Sequence, residues 1–162
     1  MNEQALIKQV LSTWKIHNAI HLSLVRAIPA AGLKAVPIGS RGRTVSEQLV
    51  HMNRVRLAWL HFHVTGKHPD RAIGRMLNPT RIQLTKAYAQ SGKLMERYIK
   101  ASLTANFNPR AFGKQTVRWM GYLISHESHH RGQIMLALKQ SGLRLPEKIS
   151  MQGLWGTWIW GK

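Results

Sequence analysis

Residues 126–134 read HESHHRGQI, and they lie inside the most regular apolar pattern of the chain. An α-helix turns by about 100° per residue, so side chains three or four positions apart share a face. On that spacing one apolar stripe contains Phe112, Trp119, Leu123, His126, His130, Ile134 and Ala137. His126 and His130 are one turn apart on this stripe, so both imidazoles can reach one point. The pattern predicts a helix from about Asn108, where an Asn-Pro pair signals a start, to about Ser141, before Gly142.

The same periodicity predicts three earlier helices. They cover approximately residues 2–28, 44–64 and 78–103. The second begins at a Thr-Val-Ser-Glu sequence that fits a capping box, with Thr44 as N-cap and Glu47 at the third helical position. The third follows another Asn-Pro pair.

No strand pattern competes with these helices, so the sequence predicts an all-α fold. Four helices joined by modest loops indicate a four-helix bundle, which we expect to form one domain over residues 1–162. A short tail rich in tryptophan follows the fourth helix. Its three rings, Trp155, Trp158 and Trp160, are expected to pack either over the open end of the bundle or against a second subunit.

Composition limits the chemistry available to the chain. It has 162 residues, no cysteine, 24 Lys+Arg and six Asp+Glu, which give a formal net charge of +18 at pH 7. Without cysteine there can be no disulfide, thiolate metal site or cysteine nucleophile, and a cytoplasmic location is expected. No apolar run has the length of a membrane span. The positive charge would suit nucleic acid, an anionic membrane surface or small anions, but its helical spacing favours solvated helix faces.

Three of the nine histidines indicate a metal site. His51 is predicted to face inward from the second helix, towards His126 and His130 of the fourth. Three inward imidazoles are costly if they are left unpaired, and one metal ion can satisfy all three through neutral ring nitrogens. For any one of them alone, a hydrogen-bonded core histidine is the alternative.

Three neighbouring side chains are candidates for a supporting role. Glu47 lies one turn before His51; its capping role is favoured over that of an extra ligand. Glu127 completes an H-E-x-x-H pattern typical of zinc metalloproteases, but no further histidine follows His130, so a protease is disfavoured. Gln133 lies one turn after His130 and is positioned to orient a ligand or substrate.

The other histidines receive simpler interpretations. His17 and His21 form a pair in the first helix and are interpreted as core or pocket lining, with a rival metal pair as the alternative. His61, His63 and His68 are predicted to lie on the surface.

The sequence also predicts the roles of two more residues in the 126–134 stretch. His129 is not expected to bind the metal, because it points to one side of the pair. Gly132 is expected to allow a close approach of another helix.

Residues 126–134, with Leu138 and Gly142, resemble the signature of the DinB-like proteins, whose superfamily includes bacillithiol S-transferases and mycothiol-dependent maleylpyruvate isomerases. The remaining matches are residues 43–52, Arg56, Trp59, Leu60, Trp14, Asn18 and the Trp155-rich C-terminus. The resemblance covers essentially the whole chain. It implies a four-helix bundle that is often dimeric and a divalent metal, usually nickel or zinc, held by His51, His126 and His130.

The resemblance also implies a class of reaction. We predict a metal-dependent thiol S-transferase that uses a low-molecular-weight thiol and an electrophile, acting as a homodimer. The chain has no thiol of its own, so the thiol must be a cosubstrate. A metal-dependent hydrolase, a metal-stabilised structural protein and a basic nucleic-acid-binding protein are the alternatives.

Overall fold

Helices dominate the computed structural model, which describes residues 2–105 and 107–161 and contains no strand within them. Its four long helices are α1 (Glu3–Ala27), α2 (Val45–Thr65), α3 (Arg81–Thr104) and α4 (Thr116–Gln140). The all-α prediction is therefore confirmed. Helix α1 packs mainly on α3, and α2 packs on both α3 and α4. None of the described helices combines the length and the apolar character that crossing a membrane requires.

Capping boxes begin two of these helices. Thr44 Oγ1 accepts a hydrogen bond from the Glu47 amide at 3.2 Å, and Glu47 Oε2 accepts one from the Thr44 amide at 2.8 Å, as predicted. Helix α3 has the equivalent pair in Thr80 and Gln83. The predicted start at the preceding Asn-Pro pair is wrong, because Asn78 has a φ of 44° and belongs to the turn before the helix.

Helix α4 also begins later than the sequence pattern predicts. Its first residue is Thr116, not a residue near Asn108, because Phe112, Gly113 and Lys114 have φ angles of 55°, 62° and 61°. Consecutive positive φ angles interrupt a right-handed helix. Phe112 consequently lies in a separate turn, although its ring still packs on Trp59 at a centroid distance of 4.8 Å.

The C-terminal tail is helical, which the sequence analysis did not predict. A π-helical segment, Lys148–Gly156, continues into α5, Thr157–Trp160, and both contact α1. The Trp158 ring lies 6.2 Å from the His17 ring. Trp155 and Trp160 remain 56% and 74% exposed, so only one of the three rings packs substantially within the described part of the chain.

Gly92 provides the close helix approach that the sequence analysis assigned to Gly132. A Cβ atom at Gly92 would overlap the Asn18 amide of α1, and the Gly92 carbonyl accepts a hydrogen bond from Trp14 Nε1 at 3.0 Å. Gly132 is exposed, and a Cβ there would meet no described atom within 4 Å. That assignment was wrong.

We expect Gly92→Ala to lower the free energy of unfolding by roughly 1–3 kcal/mol, the usual cost of overpacking a well-packed contact. The Asn18 side chain cannot turn away freely, because its Oδ1 accepts a hydrogen bond from Arg56 Nη1 at 2.8 Å. Urea unfolding measures the change. Gly121→Ala is the control: this exposed α4 glycine has no neighbour within 4 Å of an added Cβ, and helix propensity predicts a gain of up to about 1 kcal/mol. Equal stability of Gly92→Ala and wild type would contradict this account of the α1–α3 contact.

Candidate metal centre

Helices α2 and α4 bring together the three histidines that the sequence analysis selected. His51 comes from α2, and His126 and His130 come from consecutive turns of α4. One ring nitrogen of each lies within 4.8 Å of the corresponding nitrogen of the other two. His51 and His126 are half-buried and His130 is buried, so the group lies at the edge of the core.

The distance between donor atoms fits a metal ion. The Nε2 atoms of His51 and His126 are 3.2 Å apart. Two imidazole nitrogens bound tetrahedrally at about 2.0–2.1 Å from zinc would be separated by about 3.3 Å. The rings of His51 and His126 therefore already have a spacing that one divalent ion can use.

Burial keeps all three imidazoles in the neutral form that binds metals. It lowers the pKa of His51 to about 4, with a further contribution from the positive charge of Arg43. Burial likewise lowers the pKa of His126 and of His130. Neutral rings at pH 7 offer lone pairs without the proton release that would weaken metal binding.

Glutamine side chains orient His130. Its Nδ1 donates to Gln133 Oε1 at 3.1 Å and lies 3.4 Å from Gln48 Oε1. An acceptor at Nδ1 fixes the proton there and leaves Nε2 with a lone pair, as is common for histidine ligands. Gln133 Nε2 also donates to the exposed His129, whose ring is not part of the group. Glu47 is engaged with Thr44 in its capping box and is not part of the group either.

A second group of potential ligands lies deeper in the protein. One donor atom from each of His17, His21 and Glu127 also lies within 4.8 Å of the others, and all three residues are buried. Arg56, however, already binds the Glu127 carboxylate. Its Nε and Nη2 donate hydrogen bonds to Glu127 Oε1 and Oε2, both at 2.6 Å. His17 Nε2 donates to Oε2 at 2.9 Å.

The charges around this second group favour a structural network. Burial alone would raise the pKa of Glu127, but Arg56 outweighs it and holds that pKa well below its usual range. Burial lowers the pKa of His17, and it lowers that of His21 to about 3. The network is thus one carboxylate–guanidinium pair with two neutral imidazoles, and an added divalent cation would be repelled by Arg56. The interpretation of His17 and His21 as core lining is confirmed.

The structure corrects the interpretation of His63. It is 1% exposed, its Nδ1 accepts a hydrogen bond from the Arg110 amide at 3.2 Å, and its ring lies 4.6 Å from that of Trp119. The surface prediction was wrong because the buried face of α2 runs through Leu49, Met52, Asn53, Arg56 and His63. His61 is half-buried and His68 is exposed.

The sequence analysis gave Arg56 no role of its own, although this residue is among the matches to the DinB-like proteins. One further signal indicates its pairing: Glu127 lies between Leu123 and Ile134 on the buried face of α4, where a carboxylate needs a cation. The chain has six carboxylates, so one at such a position is informative.

A model of the DinB family matches residues 1–156. The chain belongs to the DinB family. The match includes all four long helices and both histidine groups. No curated protein and no solved structure matches the chain. For this DinB family member, the assignment of individual residues therefore depends on the geometry described above.

The neutral His21 makes stability depend on pH. The unfolded ring takes up a proton near its ordinary pKa of 6.5, whereas the folded ring, with a pKa of about 3, stays neutral. Its contribution is therefore complete above pH 6.5 and is lost as the pH falls towards 3, with a slope of up to roughly 1.4 kcal/mol per pH unit. We expect His21→Asn to flatten the pH dependence of the free energy of unfolding while keeping a donor for the His17 carbonyl.

Urea unfolding between pH 7 and 5, with a chelator present to exclude metal effects, measures this slope. His68→Asn, at an exposed loop position, is the control and should keep the wild-type slope. An unchanged slope in His21→Asn would show that this ring does not stay neutral in the folded protein.

Proposed function

We propose that this chain is a metal-dependent thiol S-transferase built on a DinB-like four-helix bundle. In this proposal His51, His126 and His130 hold a divalent ion, nickel or zinc, and a low-molecular-weight thiol reacts with an electrophile. The observation that carries the proposal is the convergence of three neutral imidazoles from two helices at one point, at the edge of the core. Membership of the DinB family supports it.

His51, His126 and His130 would hold a divalent ion, which would supply an open coordination position and lower the pKa of a thiol or water that reaches it. The chain's own residues position the candidate metal ligands. Gln133 and Gln48 fix the His130 tautomer, and the Arg56–Glu127 pair keeps α2 and α4 in register. In the proposed reaction the thiol sulfur bonds to the electrophilic carbon, the thiol proton passes to solvent, and the leaving group departs with its bonding electrons. The chain has no cysteine, so the thiol is a second substrate.

We also propose that the protein forms a homodimer. The C-terminal helices expose four large apolar side chains: Met151, Trp155, Ile159 and Trp160. Exposed rings of this size are typical of an interaction surface.

Metal content tests the ligand assignment. We expect about one divalent ion per wild-type chain, and loss of most of it in His51→Ala and His126→Ala, because two imidazoles hold an ion much less tightly than three. His61→Ala and His129→Ala, one on each helix, should keep wild-type content. Elemental analysis of protein purified without an affinity tag gives the ratio, and full occupancy in His51→Ala would refute the three-histidine site.

Activity tests the reaction class. We expect metal-loaded protein to accelerate the reaction of a small thiol with an alkyl or aryl electrophile, and the pH–rate profile to show a thiol pKa below its value in solution. A chelator or His130→Ala should abolish the acceleration, while His129→Ala should retain most of it. Several thiols should be assayed, including bacillithiol and glutathione. Metal-dependent hydrolysis of simple esters or amides without any thiol reaction would identify a hydrolase instead.

A further inference from the structure

A cavity of about 920 Å³ opens beside His51. Its walls come from three segments: the 3-10 turn Ala30–Lys34, residues 43–54 before and at the start of α2, and residues 75–81 before and at the start of α3. Its charged lining residues are Lys34, Arg43, Glu47, Arg54, Arg75 and Arg81. Five cations thus face one carboxylate around a cavity whose volume is within the range of small-molecule sites.

Some of these charged groups are already used to build the walls. Arg54 donates from Nε to the Ile73 carbonyl at 3.1 Å and from Nη2 to the Arg71 carbonyl at 2.9 Å. Arg81 Nη1 donates to the Ile28 carbonyl at 3.3 Å. These two arginines hold the surrounding loops in place.

The other three cationic side chains do not bind a loop carbonyl in this way. Lys34, Arg43 and Arg75 are exposed, and their side chains form no hydrogen bond or close ion pair with another described residue. The one carboxylate on the wall, Glu47, already accepts two hydrogen bonds from Thr44, at 2.8 and 3.0 Å. Glu47 stays charged and offsets at most one of the five cations, so the cavity keeps a net positive field, which concentrates anions.

We propose that this cavity binds a small polyanion that carries about two or more negative charges on carboxylate or phosphate groups, held by Arg43, Arg75 and Lys34. Guanidinium groups match the planar fork of a carboxylate and the oxygens of a phosphate, so two arginines from separate loops can each take one anionic group. His51 lines the same cavity, so the other end of the polyanion can reach this one member of the histidine group. That this polyanion is the thiol or the electrophile rests on the proposed function, whereas its binding does not.

Calorimetric titration tests the site directly. The probes are succinate and inorganic phosphate, with uncharged succinamide as the matched ligand, at about 0.15 M salt, where distant surface charges are screened. We expect Arg43→Gln/Arg75→Gln to weaken binding of succinate and phosphate by at least about tenfold, because two charge-assisted contacts are lost. The control, Lys93→Gln/Arg97→Gln, removes the same charge from exposed positions of α3 outside the cavity and should leave the affinity unchanged.

The titrations are run on metal-free and metal-loaded protein, with metal content measured for each variant. Anion binding that persists without metal, together with normal metal content in Arg43→Gln/Arg75→Gln, supports the cavity site whether or not thiol transfer occurs. Equal affinities in the two double variants, or succinamide binding as well as succinate, would overturn the proposal. So would a single-stranded oligonucleotide that binds through Arg43 and Arg75 when neither small anion does.

Discussion

Arg56 and Glu127 form a buried ion pair that joins α2 to α4, with both carboxylate oxygens 2.6 Å from guanidinium nitrogens. Loss of one partner from such a pair typically costs roughly 3–5 kcal/mol, because the other charge is left buried and unpaired. His51 lies on the same helix as Arg56, and His126 and His130 flank Glu127 on α4. The register of the two helices that supply the candidate ligands therefore depends on this pair.

The ion pair also connects the two halves of the core. The Arg56 guanidinium lies 5.1 Å from the Trp14 ring and 4.9 Å from the Tyr88 ring, which belong to different apolar clusters. Charges are thus divided between two environments. Arg56 and Glu127 neutralise one another in the core, while Arg43 and Arg75 beside His51 form no ion pair among the described residues and are open to solvent. Two of the residues that contribute to the net charge of +18 therefore lie at one site, the cavity beside His51.

Local sequence patterns predicted the long helices and the capping box at Thr44 because these features depend on neighbours in the chain. They also placed His51 close to the pair on α4. The helix starts predicted at the two Asn-Pro pairs are wrong. Thr80 provides the N-cap of α3, and positive φ angles at residues 112–114 prevent α4 from starting before Thr116. The pairing of Arg56 with Glu127 was not predicted because the two residues are 71 positions apart in the sequence, a distance that no helical period reveals.

The central claim is that the metal binds between α2 and α4 and not in the buried network. Anomalous diffraction from crystals of nickel- or zinc-loaded protein, recorded at the absorption edge of the metal, locates the ion directly. The account predicts one anomalous peak per chain, within about 2.0–2.1 Å of ring nitrogens of His51, His126 and His130 if the ion is zinc. A peak bounded by His17, His21 and Glu127 instead, with Arg56 displaced, would contradict it.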